Sequence, residues 1–170
     1  MRARVICGSN ALEQKFLQTR QSILAKTISN PEELAKLQQE VREMRQKMRD
    51  NLGSQSVGKA EFQLKQDAGG IVDIEFMVQF MVLAHSKTHP ELLEFTDNVR
   101  ILETLNHTGL MNATDAEALK QAYIAYRSLA HRRALQNQKL LLASSELDQA
   151  GLSSHIDTVK TLWQEVMHSA

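Results

Sequence analysis

The stretch Lys65-Gln66-Asp67-Ala68-Gly69-Gly70-Ile71-Val72-Asp73-Ile74-Glu75-Phe76 joins a lysine, three carboxylates and paired glycines to a long apolar run. From Ile71 to Ala84 nearly every residue is apolar, with Asp73, Glu75 and Gln79 as the interruptions. A helix that is hydrophobic all round belongs in the middle of a fold. The stretch therefore predicts a central helix entered through a glycine turn, where a missing Cβ permits unusual dihedrals or close backbone approach. Asp73, Glu75 and Gln79 ride on that helix into or beside the core, and each needs a partner there.

Outward from this helix, the rest of the chain also reads as helical. Two prolines and seven glycines in 170 residues leave little punctuation for an all-β design. Asn10 is placed to cap a helix to about Ile28, with Leu12, Phe16, Ile23 and Leu24 as its apolar points. Asn30-Pro31-Glu32-Glu33 combines a cap, a first-turn proline and acids at the positive end of a helix dipole. Leu34, Leu37, Val41, Met44, Met48 and Leu52 then form one stripe, and Gly53 stops the helix. The basic run Arg42 to Arg49 reads as its solvated face.

Glu61 to Gln66 alternates polar and apolar like a short strand, and a lone strand needs a partner from another chain or an edge position. Further on, Thr96 or Asp97 caps a helix over Asn98 to His107. Thr114-x-x-Glu117 resembles a capping box opening a helix to about Leu142. Ser153 or Ser154 starts a last helix carrying Ile156, Val159, Leu162, Trp163 and Val166. The expected fold is mainly all-α, a bundle of about six helices with one short extended strand. Residues 1–58 are expected to form an N-terminal helical pair, and residues 59–170 a C-terminal helical domain carrying the glycine motif.

Bulk properties exclude several classes. Twenty basic and twenty acidic residues cancel, which leaves no global footprint for nucleic acid or a membrane surface. No apolar run reaches the roughly 20 residues of a membrane span. The single cysteine, Cys7, rules out an internal disulfide, fits a cytoplasmic setting and reads as a small buried hydrophobe. His85 and His89 stand four apart, but no further ligand completes a zinc site. Tyr123, Tyr126, Phe76, Phe80 and Trp163 fall at helical spacings and read as core.

Phosphate or magnesium chemistry is the reading to weigh around residues 65 to 75. Lys65 suits a phosphate, amides after Gly69-Gly70 suit an anion at a helix N-terminus, and Asp67, Asp73 or Glu75 suit magnesium. The structural alternative is that Asp73 serves the helix dipole, that Glu75 bonds Arg100 or Arg133, and that the glycines only allow a tight turn. On these residues alone both readings stand.

Three stretches carry a resemblance: Glu40-Val41-Arg42-Glu43-Met44-Arg45-Gln46-Lys47-Met48-Arg49, Leu64 to Phe76, and Asp97-Asn98-Val99-Arg100-Ile101-Leu102. Together they make the chain similar to the C-terminal segment of the bacterial glutamine synthetase adenylyltransferase and adenylyl-removing family. The uridylyltransferases of the PII signal protein share the K-x-x-x-G-G-x-x-D-I pattern. The resemblance implies polymerase-β-type catalytic domains, each followed by a helical domain, that transfer AMP from ATP with magnesium or remove it again. It also implies glutamine synthetase and PII as partners. The family's catalytic carboxylate pair follows a Gly-Ser turn, whereas Gly8-Ser9 here is followed by Asn10-Ala11-Leu12 and no D-x-D. Asp73 and Glu75 have the pair's spacing, yet on a helix they point roughly 200° apart. The expectation is therefore a helical domain without catalytic or metal-binding residues of its own and with no tightly bound cofactor. Lys65, Asp67, Gly69, Gly70, Asp73 and Glu75 would then support a neighbouring nucleotide site.

Overall fold

The computed structural model describes residues 3–26, 28, 30–54 and 61–168. Among them are seven α-helices and one two-stranded antiparallel ribbon: α1 (Asn10–Leu24), α2 (Pro31–Leu52), β1 (Glu61–Gln63), α3 (Ile71–His85), α4 (Asn98–His107), α5 (Ala113–Leu135), β2 (Leu141–Ala143), α6 (Ser144–Gln149) and α7 (Ser153–His168). A 3-10 turn at Pro90–Leu93 links α3 to α4. The mainly helical architecture matches the expectation, with α6 as the short extra helix. The expected boundary at residues 58 and 59 lies outside the described residues.

Helix α3 occupies the centre and packs against α2, α4, α5 and α7. Ile74, Met77 and Val78 are wholly buried on it, beside Leu102 and Leu105 of α4, Leu119 and Ala122 of α5, and Val159 and Met167 of α7. An apolar group removed from water contributes roughly 25 cal/mol per Å², so a helix buried on every side anchors the whole assembly.

Several helix boundaries follow their caps. Asn30 accepts a hydrogen bond from the Glu33 amide at 2.9 Å, and Asp97 accepts one from the Arg100 amide at 3.0 Å. Two starts are corrected: Ser9, not Asn10, caps α1, and Asn112 caps α5 by accepting from the Asp115 amide at 2.9 Å, so Thr114 lies inside the helix. Helix α1 ends at Leu24 and buries only that residue, leaving Leu12 and Ile23 exposed instead of inward. Cys7 is exposed rather than buried.

The strand at residue 61 has its partner within the chain. Phe62 stands opposite Leu142 and Glu61 opposite Ala143, and the Leu64 amide donates to the Leu140 carbonyl at 3.0 Å. Helix α5 stops at Leu135 instead of running to Leu142, since Asn137 adopts a left-handed φ of 53°. The Gln138 amide then reaches back to the Arg133 carbonyl at 2.8 Å and the Asn137 amide to Ala134 at 3.1 Å, the two bonds of a Schellman termination.

Candidate functional site

The glycine motif folds as a tight loop between β1 and α3, and its polar groups turn on one another. The amides of Ile71 and Val72 donate to the carbonyls of Leu64 (3.0 Å) and Lys65 (3.1 Å), the Gly70 amide to Asp67 (2.9 Å), and the Asp73 amide to Gly70 (3.2 Å). The Gly69 amide donates to Asp73 Oδ2 at 2.7 Å. A helix N-terminus binds an anion through amides left without acceptors. Here those amides are occupied, which corrects their reading as a phosphate cradle. Gly70 is required by space, because a Cβ there would lie 2.5 Å from the Leu64 carbonyl oxygen.

Asp73 is buried, and its partner is Arg45 from α2. Arg45 Nε donates to Asp73 Oδ1 at 2.5 Å, while Nη2 donates to the Gln66 carbonyl at 2.6 Å and approaches that of Asp67 at 3.4 Å. Arg49 Nη2 stands 3.5 Å from the same Asp73 oxygen. Burial pulls the Arg45 guanidinium below its ordinary pKa, and the Asp73 carboxylate opposes that pull. The basic run of α2 is thus not all solvated face: Arg45 is fully buried, while Met44, expected inward, is 58% exposed. A guanidinium carries donors on all its nitrogens, so one residue ties α2, the loop and α3 together.

Asp67 fastens the loop to the end of α2. Its Oδ1 accepts from the Ser54 amide at 2.8 Å and its Oδ2 from the Gln63 amide at 2.7 Å. Glu75 points elsewhere on α3 and accepts from Tyr123 Oη at 3.3 Å. The suggested partners Arg100 and Arg133 instead pair with Asp97 and Glu146, each at 2.5 Å. Lys65 extends into solvent, and of the six singled-out residues it is the one classed as exposed.

The three carboxylates therefore do not converge on one point, and the described residues hold no cluster of three potential metal ligands. Asp67 and Asp73 already meet backbone donors and a guanidinium, so these residues do not fit a magnesium ion. His89 Nδ1 lies 3.5 Å from Glu91, while His85 lines a separate cleft of about 530 Å³ at the opposite end of α3. Tyr126 is buried beneath the motif, with its hydroxyl unpartnered among the described residues. Burial, then the charges of Asp73 and Asp157, push its pKa up.

Arg45 is the residue that sequence reasoning missed. Its position four residues after the inward-facing Val41 was the available signal.

Comparison with known proteins identifies the family. Residues 35–158 match the family model described as GlnD PII-uridylyltransferase. The chain is 50% identical over 148 residues to the bifunctional glutamine synthetase adenylyltransferase/adenylyl-removing enzyme of Pseudomonas aeruginosa, covering 81% of this chain and 15% of that protein. It is 45% identical over 172 residues to the enzyme of the same name from Acinetobacter baylyi, covering 100% of this chain and 18% of that protein. The Pseudomonas putida enzyme is 42% identical over 176 residues, covering 98% and 17%. The chain thus spans under a fifth of the length of these curated relatives. With most of its length matched and its arginine-clamped glycine loop inside the matched region, the chain belongs to the GlnD PII-uridylyltransferase domain family.

Proposed function

We propose that the chain is the helical domain that stands beside a nucleotidyltransferase domain in a protein that adenylylates and deadenylylates glutamine synthetase, and that it transfers no AMP by itself. The observation carrying this reading is the 45% identity running through the whole chain to a segment of the named bifunctional enzyme. The internally satisfied glycine loop supports it, because the motif is built to hold a shape rather than to receive a ligand. In this reading ATP and magnesium bind on the neighbouring domain. Lys65, Asp67, Gly69, Gly70, Asp73 and Glu75 brace the surface that faces it, and the protein works in the cytoplasm on nitrogen control. Lys65 is the member free to reach across, since its side chain takes no part in the loop's own bonds.

The test uses the longer protein. Lys65→Ala should lower AMP transfer to glutamine synthetase while leaving the melting temperature unchanged, and equal transfer by variant and parent would count against bracing.

A second reading, a docking module for PII or glutamine synthetase, draws support from exposed apolar residues on two helices. Met44 and Leu52 on α2 and Ile124 and Leu135 on α5 all face solvent. Retention of PII or glutamine synthetase by the 170-residue chain in a pull-down, lost in Leu135→Asp, would favour docking. No retention, with transfer still dependent on Lys65, would favour bracing.

A further inference from the structure

Helices α2 and α7 border a cleft of about 350 Å³ whose lining includes Arg42, Glu43, Arg45, Arg49, Trp163 and His168. Three guanidiniums stand at positions i, i+3 and i+7 of one helix, a spacing that keeps them on one face. Arg45 contributes a side chain with no exposed surface, yet its Nη1 has no hydrogen-bond partner among the described residues. Nε of Arg49 is likewise buried and has no partner among the described residues. A buried donor left unsatisfied is costly, and two on adjoining guanidiniums mark a place built for an acceptor.

The charges of the lining point to what that acceptor is. Arg45 is matched by Asp73, and the Glu43 carboxylate accepts from Gln39 at 2.8 Å, turned along the helix surface. Arg42 donates through Nη1 to the Met167 carbonyl at 3.1 Å and lies 3.2 Å from His168 Nδ1, contacts that carry no opposing full charge. Arg49 shares the Asp73 carboxylate at 3.5 Å, and three guanidiniums against the two carboxylates of Asp73 and Glu43 leave the cleft one net positive charge. Planar forks from several directions suit a tetrahedral dianion better than a single flat carboxylate.

We propose that this cleft is an anion site that takes the phosphate group of a small ligand, either free orthophosphate or a nucleoside monophosphate. Arg45 Nη1 and Arg49 Nε supply donors, and the net positive charge of the lining attracts the anion. The site stands on this chain's own residues and does not depend on which domain the chain adjoins.

Trp163 is the single tryptophan of the chain and lines the cleft, so its fluorescence reports occupancy directly. The experiment titrates the 170-residue protein with inorganic phosphate and, separately, with AMP, at constant ionic strength with chloride as the balancing anion. The expected result is a saturable change in Trp163 emission. Arg49→Gln and Arg42→Gln, each checked for an unchanged circular dichroism spectrum, should each weaken it about tenfold or more. Tighter binding of AMP than of phosphate would identify a nucleotide as the source, and equal or weaker binding of AMP would identify orthophosphate. A response that never saturates, or one that both variants retain at wild-type strength, overturns the proposal. Because Arg42 makes no contact with Asp73, its variant remains informative if Arg49→Gln fails to fold.

Discussion

Gly69 presses against the backbone of Ile156 in α7: a Cβ built on the glycine would fall 2.5 Å from the Ile156 carbonyl oxygen. The same glycine holds a φ of +86°, so the position excludes a side chain on both steric and conformational grounds. Gly109 has a similar φ of +73° but open space around it. Gly69→Ala should therefore destabilise the fold by ~3 kcal/mol or more and Gly109→Ala by only ~1 kcal/mol. Urea unfolding of the two variants followed through Trp163 fluorescence checks the ordering, and equal losses would show that the backbone of α7 yields.

The Arg45–Asp73 pair predicts strong coupling. Removing one member of a buried ion pair strands the other, at about 3 to 5 kcal/mol. Arg45→Met and Asp73→Leu should each unfold at clearly lower urea, while the double variant should lose much less than the two losses added together. Strict additivity in that cycle would mean that the two side chains do not depend on each other.

His85 gives a pH signature. Burial, then the charge of His89, lowers its pKa below the usual 6.5. The unfolded chain therefore takes up a proton at a higher pH than the folded one. The His85 contribution is fully present above about pH 6.5 and declines as pH falls from there toward the lowered folded value. Melting temperatures measured from pH 7.5 down to pH 5 should show this decline, and His85→Gln should flatten it. An identical slope in the variant would move the effect to another group.

Tyr126 is buried, and its hydroxyl has no partner among the described residues. Leaving such a group in a core costs about 1 to 3 kcal/mol, whereas removing it keeps the ring packing, including the edge-on contact with His155 at 6.4 Å between ring centres. Tyr126→Phe should be neutral or raise stability by up to ~1 kcal/mol. A clear loss in thermal unfolding would reveal a bond to that hydroxyl.

Cys7 is exposed, so the folded protein should react with a thiol reagent as fast as the urea-unfolded protein at the same pH. Protection in the folded state would place the segment before α1 against something that covers it.

Much of the architecture is legible in the amino-acid sequence, and the reasons are local. The all-round apolar character of Ile71 to Ala84 has one physical solution, the centre of a fold. Asn30-Pro31 and Asp97 likewise state their own helix starts. What escaped depended on residues distant in sequence. Met44 and Arg45 are both within reach of the inward face that passes through Val41, and hydrophobicity alone favours Met44. The choice falls to Arg45 because Asp73, 28 residues later, supplies the carboxylate that makes its burial tolerable. The ribbon was hidden for a similar reason: Leu140 to Leu142 continue the apolar pattern of α5, and only Asn137, a residue tolerant of positive φ, signalled the break. Lys65 to Glu75 was legible as a motif, but its inward-turned bonding was not, since a glycine-rich loop before a helix has the same sequence whether its amides meet a ligand or one another.

The pairing of Glu61 with Ala143 also means that residues 61–143 begin and end side by side. That segment contains α3, α4 and α5, so the innermost part of the protein is close to a closed ring. Drawing together strands about 80 positions apart is entropically slow compared with forming any of the helices between them. The clasp therefore carries a larger loop-closure cost than any turn inside the segment it encloses. A short peptide bridge across that gap would turn the ring into a chain that can be opened at a different loop.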